Sequence, residues 1–385
     1  MRAWGCGKRP RGIGAGKWCR VPPLASNLRK PAAHYNRAVS EFAKSLVRWQ
    51  RAHGRHGLPW QDTRDPYRVW LSEVMLQQTQ VEAVIPYYER FLERFPDVHA
   101  LAGATEDEVL RLWSGLGYYA RARNLHRAAQ MVAADRAGRF PDTVEGLSAL
   151  PGVGRSTAAA IAAFAFGRRA AILDGNVKRV LARAFGIDGF PGEPAVEARL
   201  WRLAEDQLPR RDIGRYTQAL MDLGATLCTR VRPRCDACPL GPRCVARSQG
   251  RTAELPAPRP RKPYPQREVT WLVLLDAGRV LLERRPAPGL WGGLWTFPEI
   301  GSGRASAYCR QELGCEVRLL ERMESLEHGF THFRLHARPM LYAVRKATPR
   351  AEQPGRLWLD IAEAQRAAVP VPVKKLLARL ASRPA

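Results

Sequence analysis

Cysteines 228, 235, 238 and 244 stand in a C-x6-C-x2-C-x5-C frame, so four potential thiolates fall within 17 positions of one Arg/Pro-rich stretch. That spacing suits wrapping a single loop around one metal centre better than cross-linking distant strands. Four thiolates are the usual ligands of a four-iron cluster, whereas a zinc site more often shows two C-x2-C knuckles with a longer gap between them. The frame therefore predicts a 4Fe-4S cluster held by Cys228, Cys235, Cys238 and Cys244. Cys6, Cys19, Cys309 and Cys315 form no comparable frame. This argues against a disulfide-stapled secreted chain and for a reducing, cytoplasmic setting. No apolar run approaches the ~20 residues needed to span a bilayer, so no membrane partner is expected.

The formal net charge of +26 is spread over the chain, with +9 in residues 1–40, +10 in 41–265 and +7 in 266–385. A general cationic excess suits a protein that approaches a polyphosphate such as DNA from more than one domain. An Arg/Ala-rich compositional bias is the alternative. Residues 1–36 are rich in Gly, Pro and Arg, lack acids and show no periodicity, as expected of a disordered basic arm. A transit peptide or a mis-assigned start are the other readings. Residues 37–247 place apolar side chains at three- and four-residue spacing and predict a helical domain, with the cysteine loop at 228–244. Residues 248–265 form a Pro-rich linker, and short β-rich runs from 266 to 385 predict an α+β domain.

The segment LPGVGRST (150–157) runs directly into AAAIAAFAF. Gly152 and Gly154 permit a tight turn, and the free amides at the following helix start can face a phosphate without regard to base sequence. Together with the cysteine loop, this resembles the helix-hairpin-helix glycosylase superfamily and its endonuclease III-like branch. Four further segments, LPW (58–60), WLSEVMLQQT (70–79), GLGYYARARN (115–124) and ILDGNVKRV (172–180), closely resemble adenine DNA glycosylases of the MutY type. The resemblance runs from about residue 37 to the C-terminus. It implies a mainly α helix-hairpin-helix glycosylase domain followed by an α+β Nudix-like domain. The implied activity is base-excision removal of adenine mispaired with 8-oxoguanine or guanine in double-stranded DNA, by a monomer.

Glu73 shares a helix face with Val69, Trp70, Leu76 and Gln77, surroundings that favour its protonated form. An N-glycosidic bond to adenine breaks easily only when a ring nitrogen is protonated, which makes Glu73 the general acid, later able to activate water. Asp174 precedes Gly175-Asn176 at a helix start, where an ionised carboxylate can stabilise oxocarbenium charge or bond to the sugar carbon; a plain N-cap is the other reading. In the family the residue matching Asn176 supports that site. Bifunctional endonuclease III-like enzymes carry, after GVGR, a lysine that cuts the strand through a Schiff base. Here the residue is Ser156, so the resemblance implies a monofunctional glycosylase. The bifunctional glycosylase/lyase is the alternative, and Lys178 is a second amine near the active-site segment.

Flipping a base out of a duplex requires the vacated stack to be filled. Gln78, Leu116 and Tyr118 match family positions that intercalate near, or contact, the oxidised guanine, and Trp60 matches an aromatic of the adenine pocket; helix and core packing are the alternatives. The run GLWGGLWTFPE (289–299) looks Nudix-like. Counted from Gly293, however, only Glu299, Glu312 and Gly314 fit the metal-binding pattern, with Ala307, Tyr308 and Gln311 replacing an Arg and two Glu. This favours a recognition module over a second hydrolase. Phe330–Phe333 resembles the family's base-recognition loop, in which Thr331 and His332 are the polar members and Thr331 adds a methyl to the commoner serine.

Overall fold

The computed structural model describes residues 32–260, 264–301, 305–330, 332–347 and 354–383. Thr331 and most of the expected basic arm lie outside them. The first part is helical: α1 (Ala32–His53), α2 (Pro66–Leu76), α3 (Val81–Arg94), α4 (Val98–Gly103), α5 (Glu106–Trp113) and α6 (Ala120–Arg136). It continues with α7 (Val144–Ser148), α8 (Arg155–Phe166), α9 (Gly175–Phe185), α10 (Pro194–Asp206), α11 (Ile213–Thr226) and the short α12 (Val245–Ser248). Helix α1 begins upstream of residue 37, the boundary expected from sequence. No helix among the described residues is long and apolar enough to cross a membrane.

Local chemistry sets the boundaries that matter to the site. Helix α2 starts at Pro66, behind an Asp65 side chain that accepts from the Tyr67 amide at 2.9 Å. Thr105 caps α5 through the Glu108 amide at 3.2 Å, and Glu106, Asp107 and Glu108 in the first turn suit the positive end of the helix. Helix α8 is buried almost all round because it runs through the centre of the helical part, against α2, α7 and α11. Its alanines allow that close approach, and Gly167 ends it in the left-handed region (φ +63°).

The second part is a sheet of β1 (Gln266–Asp276), β2 (Arg279–Arg284), β3 (Trp295–Thr296), β4 (Glu299–Ile300), β5 (Cys315–Arg322), β6 (Leu326–Gly329), β7 (Arg334–Ala347) and β8 (Arg356–Asp360). Helix α13 (Ala305–Glu312) lies between β4 and β5, and α14 (Ile361–Arg366) and α15 (Val371–Ala381) follow β8. The main strand order is β3-β2-β1-β7-β5, with β1 and β7 parallel from Gln266↔Arg334 to Leu275↔Ala343. Strand β1 is apolar on both faces because both are covered. Trp271 and Val273 join a core with Val373 and Leu376 of α15, while Leu272 and Leu274 pack with Cys309 of α13.

One apolar core is continuous from α2, α3, α5, α6 and α8 into β1 and α15, so the helical and sheet parts share buried side chains. A second core gathers α1, α9, α10 and α11 and reaches Cys228 and Cys238. The stretch expected to be an extended connector is anchored in its first half: Leu255 is buried, its carbonyl accepts from Arg183 Nε at 2.8 Å, and Arg251 pairs with Asp188 and Glu254.

Candidate active site

Glu73 opens onto a cleft of about 570 Å³ walled by Trp60 and Gln61 from the α1–α2 loop, Phe164 from α8 and Gln218 from α11, with Arg210 and Arg215 also lining it. The side chain retains some exposure to the cleft, yet its carboxyl is enclosed by protein. Burial first, and the charge of nearby Asp174 second, push Glu73 up to about 8. At neutral pH it therefore holds its proton.

Asp174 caps α9, with Oδ1 accepting from the Val177 amide at 2.7 Å and Oδ2 lying 3.5 Å from Asn176 Nδ2. Burial raises this carboxyl too, but the amides of Val177 and Asn176 and the Arg179 guanidinium oppose the rise. Two neighbouring carboxyls cannot both ionise freely, and the one that receives amide donors and a cation is the better anion. Glu73 is thus the carboxyl that keeps its proton, and Asp174 the one better placed to carry charge.

Asn176 is held from behind: Arg179 donates to its Oδ1 at 2.8 Å, to the Gly224 carbonyl at 2.7 Å and to the Cys228 carbonyl at 2.7 Å. A hydrogen-bonded path thus runs from Asp174 to the cysteine loop. Ser156 lies on α8 with its Oγ accepting from the Leu173 amide at 2.9 Å, one residue before Asp174. The hydroxyl steadies the chain entering the site. Lys178 Nζ is paired with Glu197 at 2.6 Å.

The turn between α7 and α8 has the expected form. Gly152 takes φ +77°, and a Cβ there would meet Asn124 Cβ at 2.8 Å; Gly154 is the N-cap of α8 and has open space beside it. Gln77 Nε2 reaches the Gly152 carbonyl at 3.4 Å and Thr157 Oγ1 at 3.2 Å, joining the turn to the end of α2.

Cys228, Cys235, Cys238 and Cys244 line one small cavity together with Arg183 and Arg247. Arg183 Nη1 lies 3.4 Å from Cys228 Sγ and also donates to the Thr229 carbonyl at 2.7 Å, so a cation already faces the thiol ring. Among the described residues no three His, Cys, Asp or Glu side chains are gathered tightly enough to hold one metal ion. Four thiols around a shared cavity, with cations at its wall, fit a polynuclear, anionic cluster.

Gln78, Leu116 and Tyr118 meet in a second, larger gap of about 1140 Å³, whose opposite wall carries Trp291, His328 and His332 of the sheet part. Gln78 (φ +56°) and Tyr118 (φ +49°) occupy the left-handed region, and Tyr118 is 46 % exposed. Leu116, by contrast, is only 7 % exposed and packs into the main core. Arg121 fixes this wall: its guanidinium donates to the carbonyls of Val74, Met75, Leu116 and Gly117 and to Thr79 Oγ1, at 2.6 to 3.3 Å. On the other wall the Phe330 ring stacks on Phe333 at 4.6 Å and lies 5.4 Å from Trp291. In the Nudix-like region, Glu299 is paired with Arg267 at 2.8 Å and Arg285 at 2.9 Å, and Glu283 with Arg356 at 2.5 Å. Both carboxylates are thus engaged by arginines.

Residues 71–206 match the HhH-GPD superfamily of base excision DNA repair proteins, and residues 270–379 match the NUDIX domain. A curated adenine DNA glycosylase of Buchnera aphidicola is 35 % identical over 337 residues, covering 87 % of this chain and 96 % of the relative. The chain belongs to the adenine DNA glycosylase family. The human family member is 34 % identical and covers 88 % of this chain and 73 % of its own. Among solved structures, a thermostable thymine-DNA glycosylase superposes with a TM-score of 0.51 at 29 % identity, covering 56 % of this chain and 98 % of that one.

Seen as members of this family's fold, several site residues had escaped sequence reasoning. Gln61 and Gln218 line the cleft, their amides bonded to the Leu58 and Arg55 backbone and to Asp222, and Arg121, Trp291 and His328 line the gap. A lone Gln or Arg on an amphipathic helix has no spacing signal; only the fold turns it inward.

Proposed function

We propose that this protein is a monofunctional base-excision glycosylase that removes adenine opposite 8-oxoguanine, or opposite guanine, from double-stranded DNA and leaves an abasic site. The observation that carries the reading is the carboxyl pair, with Glu73 protonated at a cleft and Asp174 better able to hold the anion beside it. Glu73 donates its proton to a ring nitrogen of the flipped adenine, the glycosidic electron pair leaves with the base, and Asp174 stabilises the cationic sugar. Glu73, now a carboxylate, deprotonates the water that adds to the sugar carbon and so regains its proton. Asn176 positions Asp174, Trp60 borders the base pocket, and the amides at Gly152–Gly154 and the start of α8 suit a phosphate. The family membership supports adenine and DNA as substrate.

Ser156 supplies no amine, and Lys178 is engaged by Glu197, which supports hydrolysis over strand cutting. We assign residues 37–247 to glycosylase chemistry, 248–265 to the connector and 266–385 to reading the opposite base, with Gln78, Leu116, Tyr118, Thr331 and His332 near that base. His332→Ala is expected to lower the preference for A:8-oxoguanine over A:G by about tenfold, the weight of one good base contact, without slowing excision from saturated complexes. Unchanged preference in assays of the two duplexes at sub-saturating protein would remove His332 from the reading loop.

Cys228, Cys235, Cys238 and Cys244 would hold a 4Fe-4S cluster. When bound, it would supply structural cross-linking of the loop and no redox step of the reaction. Purified protein is expected to be yellow-brown with about four irons per chain, and Cys235→Ser to lose iron and DNA affinity more than chemistry on bound substrate. Stoichiometric zinc without iron would overturn the assignment.

A further inference from the structure

Between the helical part and the sheet part, polar contacts join α5 to the segments that flank the reading wall. The Trp295 indole donates to Asp107 Oδ1 at 2.8 Å, near the start of α5. The Trp295 backbone amide donates to the Ala368 carbonyl at 2.9 Å, and the adjacent Val369 carbonyl accepts from Ser114 Oγ at 2.8 Å, just beyond the end of α5. Both ends of one helix thus grip two strands of chain that are themselves bonded together. Between them Gly293, at φ +83°, lies so close to α5 that a Cβ there would come within 3.0 Å of Leu110 Cδ1 and 3.1 Å of Glu106 Oε1. Arg123 donates to the Gly292 carbonyl, and Arg284 pairs with Glu106 at 3.4 Å.

These contacts stand next to both walls of the larger gap. Ser114 leads directly into Gly115, Leu116, Gly117 and Tyr118, the turn that forms the helical wall. Gly292 and Gly293 follow Trp291, whose ring lies 5.4 Å from Phe330 and 5.7 Å from His328 on the sheet wall. A shift at α5 therefore displaces one wall relative to the other, and packed cores transmit such shifts with little loss.

We infer that Asp107, Ser114 and Trp295 are positioning residues for opposite-base discrimination: they latch the sheet part onto α5 and so set the spacing between the Gly115–Tyr118 turn and the Phe330 and Phe333 rings. None of the three lines the Glu73 cleft, so the latch acts on which pair is processed and leaves bond breaking alone. The inference rests on the base-reading role proposed for the second part.

The test uses the full chain with Asp107→Ala, Trp295→Phe, Ser114→Ala and the Asp107/Trp295 double variant, the last two single changes being mild enough to preserve folding. Single-turnover excision with protein in excess of duplex but below saturation is measured on A:8-oxoguanine and A:G duplexes, so that the ratio of the two rates includes discrimination in binding. Each single variant is expected to reduce the ratio of the two rates about three- to tenfold, the effect one lost hydrogen bond can carry, through the A:8-oxoguanine rate alone. The double variant is expected to lose no more than the worse single, because Asp107 and Trp295 act as one contact. A wild-type preference that survives unchanged in all variants, rates that fall in proportion on both duplexes, or additive losses in the double variant would each overturn the latch. A wild-type protein without any preference would instead refute the base-reading role, and the latch inference with it.

Discussion

Glu73→Gln is expected to bind mismatched duplex as the wild type does while excising adenine roughly a hundredfold more slowly or worse, the weight of a general acid. The amide keeps the size of the side chain and removes the proton that makes adenine a leaving group. Near-wild-type single-turnover rates would eliminate Glu73 from the role. The same assignment fixes a pH dependence. Because burial and Asp174 raise Glu73 to about 8, the protonated, competent form persists through neutral pH, and excision falls as pH rises through that value. A rate that climbs across the same range would mean that the ionised form is the active one.

Asp174→Asn is the second large effect. Asparagine still accepts the Val177 amide and so still caps α9, which keeps the local fold. It carries no negative charge, so the cationic sugar loses its partner. Excision is expected to fall by about a hundredfold or more while mismatch affinity holds. Retained activity would reduce Asp174 to a helix cap.

The cysteine loop was legible because its chemistry dictates residue types at fixed spacings, and those spacings survive without knowledge of the fold; Glu73 and Asp174 have no spacing in common and were singled out by their helix positions and by family resemblance. The long helices were legible through their period, since α3 and α6 bury stripes at three- and four-residue spacing. What escaped was short, irregular or distant. Helices α4 and α7 span six and five residues, too few for a period to show. Strand β5 is an edge strand that leaves Leu319 and Leu320 exposed and slips register twice against β7, so its alternation, clear from Cys315 to Leu319, breaks at Leu320. Leu116 resembles an intercalating wedge by motif, yet the core buries it; a wedge at this position must come out of that packing when DNA binds. The Asp107–Trp295 contact joins residues 188 positions apart, and nothing in either neighbourhood announces the other.

One further contact shows only in the fold. Ser156 reads as a missing lysine in sequence, whereas in the fold its hydroxyl holds the Leu173 amide just ahead of Asp174. A serine so bonded steadies the chain leading into Asp174.

The most direct measurement is a single-turnover incubation of the full-length protein with a duplex carrying adenine opposite 8-oxoguanine, split into samples with and without alkali. The account predicts free adenine in both samples and strand breaks only after alkali. An intact adenine strand, or efficient strand cutting at neutral pH, would contradict it.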